Sequence, residues 1–83
     1  MANEKLLKLV KQGRSAFVKW RTKHPKVILD LMDADLAGID LRGANLRRAD
    51  LIGVNLTGAN LTTAALNGAD LTRSKLCQIK LQR

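Results

Sequence analysis

Residues 29–83 read LDLMD ADLAG IDLRG ANLRR ADLIG VNLTG ANLTT AALNG ADLTR SKLCQ IKLQR, and a leucine returns at every fifth position from Leu31 to Leu81. Two positions before each leucine stands a mostly small apolar residue, among them Ala34, Ala44, Ala49, Ala59 and Ala64. On an α-helix five residues turn roughly 500°, so the leucines would spiral around the cylinder and form no stripe. On a flat strand an odd spacing sends successive leucines to opposite faces. All eleven leucines share one interior only if every group of five also turns a corner. Four corners close a square, so a coil takes about twenty residues and successive coils stack as parallel strands, a solenoid read from its period. The eleven groups make about 2.75 coils, near the minimum for a stable repeat stack.

The stretch before the repeats has a different period. Leu6, Val10, Gly13, Phe17 and Trp20 recur at four- and three-residue steps, one face of an amphipathic helix. Asn3 is placed to cap it, Glu4 suits its first turn, and Pro25 stops it, which predicts one helix over residues 4–22. Gly13 on the apolar face costs roughly 1 kcal/mol against alanine, and close approach to whatever the helix covers is the expected compensation. A solenoid has an open end that exposes apolar interior and strand edges. Phe17 and Trp20 are expected to lie over the first coil as its lid.

Composition narrows the function classes. The chain has 83 residues, enough for a single domain with a modest core. One cysteine, Cys77, excludes an internal disulfide and fits a reducing compartment. No apolar run approaches a membrane span and no secretory signal is apparent, so a cytoplasmic location is expected. The net charge of +8 is uneven: residues 1–28 carry eight cations and one glutamate, whereas residues 29–83 carry seven cations and six aspartates. Attraction to a polyanion is therefore mainly a property of the leader.

Written as A(D/N)LXX, the tandem register resembles the pentapeptide-repeat family over 55 of the 83 residues. The order Gly13, Phe17, Trp20-Arg21, Pro25 ahead of the first repeat is similar to a leader common in that family, especially among cyanobacterial members. The resemblance implies an all-β solenoid, a right-handed quadrilateral parallel β-helix with the leucine and the residue two before it pointing inward. The square follows from the period as well; the handedness comes from the resemblance. Residues 1–28 are then a basic capping helix with its linker, and residues 29–83 the repeat shaft.

No residue pattern points to catalysis, a cofactor or a metal site, and an enzyme is not expected. Arg42, Arg47 and Arg48 form the one arginine cluster on the shaft, a candidate contact for a phosphate- or carboxylate-bearing partner, although charge clusters are more often solvated faces. Asp30, Asp50 and Asp70 fall in one outward column and are expected to bond to their own turns. His24 reads as a solvated linker residue and Cys77 as a surface thiol. The repeats run to Arg83 without a second lid, so Leu76, Ile79 and Leu81 are expected to form an apolar end that pairs two copies, an arrangement also familiar in the family. The first functional reading is a protein–protein interaction module. The second is binding of nucleic acid or an anionic membrane through the basic leader. Some family members resemble duplex DNA in shape and negative charge and bind DNA gyrase in its place; a near-neutral shaft and a net +8 speak against that reading here.

Overall fold

The computed structural model describes residues 3–81, in which two short helices precede a stack of turns joined by single parallel bridges. Helix α1 spans Glu4–Lys11 and helix α2 spans Arg14–Lys23. The Asn3 side chain accepts from the N–H groups of Lys5 (3.0 Å) and Leu6 (3.2 Å), so α1 starts where the sequence predicts. The single helix expected over residues 4–22 is instead broken. Gly13 sits between the two helices at φ +126° and ψ 165°, in a region open to glycine and strained for other residues. Its expected compensation is also wrong, since a Cβ there would meet nothing within 4 Å. Gly13 is used for its backbone freedom, and the break lets α1 and α2 lie across the shaft as two separate rods.

In the shaft each pentapeptide is one turn. The N–H of Ala34 donates to the Leu31 carbonyl (3.0 Å), and equivalent bonds recur from Ile39 to Leu36, Ala44 to Leu41 and onward to Ser74 to Leu71. The residue before each of these donors has positive φ, the signature of a type II turn. Glycine occupies that corner at Gly38, Gly43, Gly53, Gly58 and Gly68, while Asp33, Arg48, Thr63, Arg73 and Gln78 hold it with side chains. The Asp or Asn three positions earlier secures the turn from outside. The Oδ1 atoms of Asp35, Asp40, Asn45, Asp50 and Asn55 each accept from the N–H two residues on, at 3.1–3.2 Å.

Coils join at a constant offset. Asp30 bridges Asp50, Asp35 bridges Asn55, Asp40 bridges Asn60 and Asn45 bridges Ala65, all parallel, and Asp50, Asn55 and Asn60 bridge Asp70, Lys75 and Lys80 in turn. Four bridge columns therefore run along the shaft, one for each pentapeptide in a coil. Continuous parallel strands, expected from the period, do not form among the described residues. A turn with a positive-φ corner interrupts each quintet from 29–33 to 74–78, so one residue per side stays extended enough to bridge.

The leucines from Leu31 to Leu61 are buried, with Leu29, Ala34, Ala44, Ala49, Val54 and Ala59 beside them. Leu6, Val10 and Phe17 from the helices belong to the same core, and the half-buried Trp20 packs against it. Burial fades at the other end, where Leu66 and Leu71 are half-buried and Leu76 and Leu81 are 40% and 54% exposed.

Candidate functional site

The register leaves backbone groups of the first coil facing the helices. Asp50, one coil on, donates its N–H to the Leu29 carbonyl and accepts from the N–H of Leu31; the equivalent groups of the first coil have no coil to meet. The leader supplies donors instead. The N–H of Asn3 donates to the Asp30 carbonyl (3.0 Å). Arg14 Nε donates to the Arg42 carbonyl (2.8 Å) and Arg21 Nε to the Asn45 carbonyl (2.9 Å). Arg21 Nη1 also donates to the carbonyls of His24 (3.0 Å) and Val27 (2.7 Å), which ties the linker to α2 and to the shaft. Arg21 is only 4% exposed, and burial lowers its pKa. The guanidinium remains charged and its partners are neutral carbonyls. Sequence reasoning counts Arg21 with the surface cations. The available signal is its place four residues after Phe17, on the buried face of the helix.

The three shaft arginines do not form one site. Arg42 is engaged by Asp40 through Nε to Oδ1 (2.9 Å) and Nη2 to Oδ2 (2.8 Å). That pairing, with the Arg42 backbone N–H and the charges of Arg42 and Arg14 adding to it, holds the Asp40 carboxyl at about 2, below the usual range. Arg47 makes a long contact from Nη1 to Asn45 Oδ1 (3.4 Å). Arg48 occupies a positive-φ corner (φ 61°), and its Cγ lies 3.4 Å from where a Cβ on Gly68 would sit. Arg47 and Arg48 line a cleft with Arg21, Lys26, Val27 and Ile28; Arg42 does not.

The other singled-out residues take quiet places. The oxygens of Asp30, Asp50 and Asp70 accept from their own turns, and Thr72 Oγ1 also bonds Asp70 Oδ1 (2.5 Å). Hydrogen bonds from the Thr72 side chain and backbone lower the Asp70 pKa. No group of three or more metal-binding side chains occurs among the described residues. Cys77 is an exposed free thiol. His24 is exposed, but its ring is tilted against Trp20 with centroids 4.9 Å apart, so it is less free than a solvated linker residue would be. Phe17 and Trp20, the expected lid residues, lie with ring centroids 6.4 Å apart, Phe17 in the core and Trp20 at its margin. At the far end Leu76, Ile79 and Leu81 lie together on the least buried coil, and the N–H groups of Leu66, Leu71 and Leu76 have no backbone acceptor among the described residues. Arg83 lies outside them.

No helix among the described residues is long and apolar enough to cross a membrane. A family model for pentapeptide repeats, eight copies long, matches residues 30–68 and again 44–83. Comparison with curated proteins and with solved structures yields no significant match.

Proposed function

We propose, from the premise that the chain belongs to the pentapeptide-repeat family, that it is a small non-enzymatic scaffold working in the cytoplasm as a protein–protein interaction module. We take the shaft to be the family's right-handed quadrilateral β-helix; the four bridge columns support the square, and the hand is the family's. One observation carries the reading. The apolar side chains are used on the axis and the turns are secured by their own Asp and Asn oxygens, which leaves rigid outward faces free for recognition. The second reading, polyanion binding, has its own support in the exposed Lys5, Lys8, Lys11, Lys19, Lys23 and Lys26 of the leader.

Capture of partners from native extract across salt separates the two. Under the interaction-module reading, retention on the chain persists from about 50 to 200 mM salt. Polyanion binding falls by orders of magnitude over that range. Retention that collapses with salt in the wild-type chain overturns the first reading.

A homodimer through Leu76, Ile79 and Leu81 belongs to the same proposal. Its support is the exposed Leu76 and Leu81 and the half-buried Ile79 beside N–H groups with no backbone acceptor among the described residues, a surface that a two-fold copy complements. Light scattering at micromolar concentration is expected to give twice the 9.1 kDa chain mass, and Leu76→Lys with Leu81→Lys to give the single mass. A monomeric wild-type chain removes the dimer.

A further inference from the structure

Val27 and Ile28 of the linker are 43% and 59% exposed, adjacent in the chain, and both line two recesses. On one side an apolar pocket of ≈ 280 Å³ is walled by Leu6, Leu9 and Trp20, with Lys5 and Asp30 also lining it. On the other a cleft of ≈ 410 Å³ is lined by Lys26, Arg47 and Arg48 together with the buried Arg21. Val27 and Ile28 line both recesses, so the two are one continuous surface.

Its charge is one-sided. No carboxylate lines the second cleft. Arg21 is already spent on three carbonyls. The one ion pair among the described residues is Arg42–Asp40, so Arg47 and Arg48 face the cleft without a carboxylate of their own. Arginine forks match carboxylates bidentately, and the apolar ridge beside them keeps part of such a contact out of water.

We infer that this surface takes an acidic peptide segment of a partner protein carrying one large apolar residue. The apolar side chain lodges against Trp20, and the flanking carboxylates meet Lys26, Arg47 and Arg48. Lys5 and Asp30 offset one another in the apolar pocket whereas the second cleft carries cations alone, so the carboxylates go to Lys26, Arg47 and Arg48 and the apolar residue to Trp20. The shape favours a peptide over other anions. A bilayer would meet the projecting Val27 and Ile28 and leave the recesses on either side unfilled. A nucleic acid would find cations for its phosphates but one aromatic face for stacking, with the apolar pocket empty. The inference rests on the interaction-module reading and names its partner chemistry.

Trp20 is the chain's one tryptophan and lines the pocket, so its emission reports occupancy directly. The probe is a synthetic peptide of about ten residues, glutamates around a central leucine, titrated onto the full chain at about 150 mM salt, where long-range attraction is screened. The expected result is a saturable change in Trp20 emission. The same peptide with alanine for leucine binds at least ~10-fold more weakly. Arg47→Glu with Arg48→Asn, asparagine being suited to the positive φ, weakens the leucine peptide by a similar factor. Ile28→Asp, at an exposed position, does the same without touching the arginines. Equal binding of the two peptides, indifference to all three substitutions, no response up to about 1 mM peptide, or a Trp20 response confined to phosphatidylserine vesicles or a DNA oligonucleotide each overturns the inference. Such a failure leaves the salt-resistant capture of a native partner standing on its own result.

Discussion

Leu56→Asp leaves no folded protein. Leu56 is fully buried on the shaft axis, between Leu36 and Leu76 of the neighbouring coils in the same column. Removing its side chain alone costs about 2–5 kcal/mol in packing. The aspartate then places a carboxylate where no donor is free. The N–H of Leu56 is committed to the Lys75 carbonyl (2.9 Å) and that of Ala59 to the Leu56 carbonyl (2.9 Å), and the surrounding side chains are aliphatic. A buried, unpaired charge adds several kcal/mol more. Domains of this size have roughly 4–12 kcal/mol in total, so the sum reaches or exceeds what the fold contains. Leu81→Asp is the matched control for the fold, since Leu81 is 54% exposed in the single chain and its carboxylate stays off the dry axis, so it removes the proposed pairing of two copies and not the shaft. Far-UV circular dichroism and the dispersion of amide signals are expected to show a collapsed spectrum for Leu56→Asp and a native one for Leu81→Asp. A soluble Leu56→Asp variant with a cooperative melt would mean that the leucines do not share a dry axis.

That axis is legible in the residues alone because the five-residue signal is local and repeated eleven times, so a misreading at one quintet is corrected by its neighbours. The same redundancy makes the Asp and Asn oxygens readable as turn locks. Two things are out of the sequence's reach even so. Whether the sides between corners are strands or single bridges depends on how much of each quintet the turn consumes, and a positive φ at Asp33 or Thr63 is not advertised by residue type as it is at glycine. The leader is harder, since it occurs once. Gly13 on an apolar face fits a close contact and a helix break equally well, and only the backbone angle decides between them. The cleft at Lys26, Arg47 and Arg48 joins residues some twenty positions apart, and it exists because Arg21 draws the linker onto the shaft. No periodicity encodes that contact.

Arg21 is where the second large effect is expected. Changing it to methionine keeps an unbranched side chain of comparable volume and removes the donors, so the loss is one of hydrogen bonding more than of volume. The carbonyls of Asn45, His24 and Val27, held at 2.9, 3.0 and 2.7 Å, are then left to find water at a covered edge. Stranding an acceptor costs about 1–3 kcal/mol where it is fully buried, and these three are part-buried. Partial rehydration at the linker side reduces the total, and a loss of about 3 kcal/mol or more in urea unfolding is expected. Arg21→Lys separates charge from geometry. Lysine keeps the cation but offers one ammonium where the planar fork reaches three separated oxygens, so it restores only part of the stability. The expected order of urea midpoints is wild type, then Arg21→Lys, then Arg21→Met, with Lys23→Met, a neighbouring exposed cation, indistinguishable from wild type. Amide exchange adds a local readout: in Arg21→Met the linker at residues 24–28 loses protection before the inner coils, because the tie between α2 and the first coil is the part removed. If Arg21→Met unfolded at the wild-type midpoint, the guanidinium would not be what closes this end of the shaft, and the leader would be held by Leu6, Val10 and Phe17 alone.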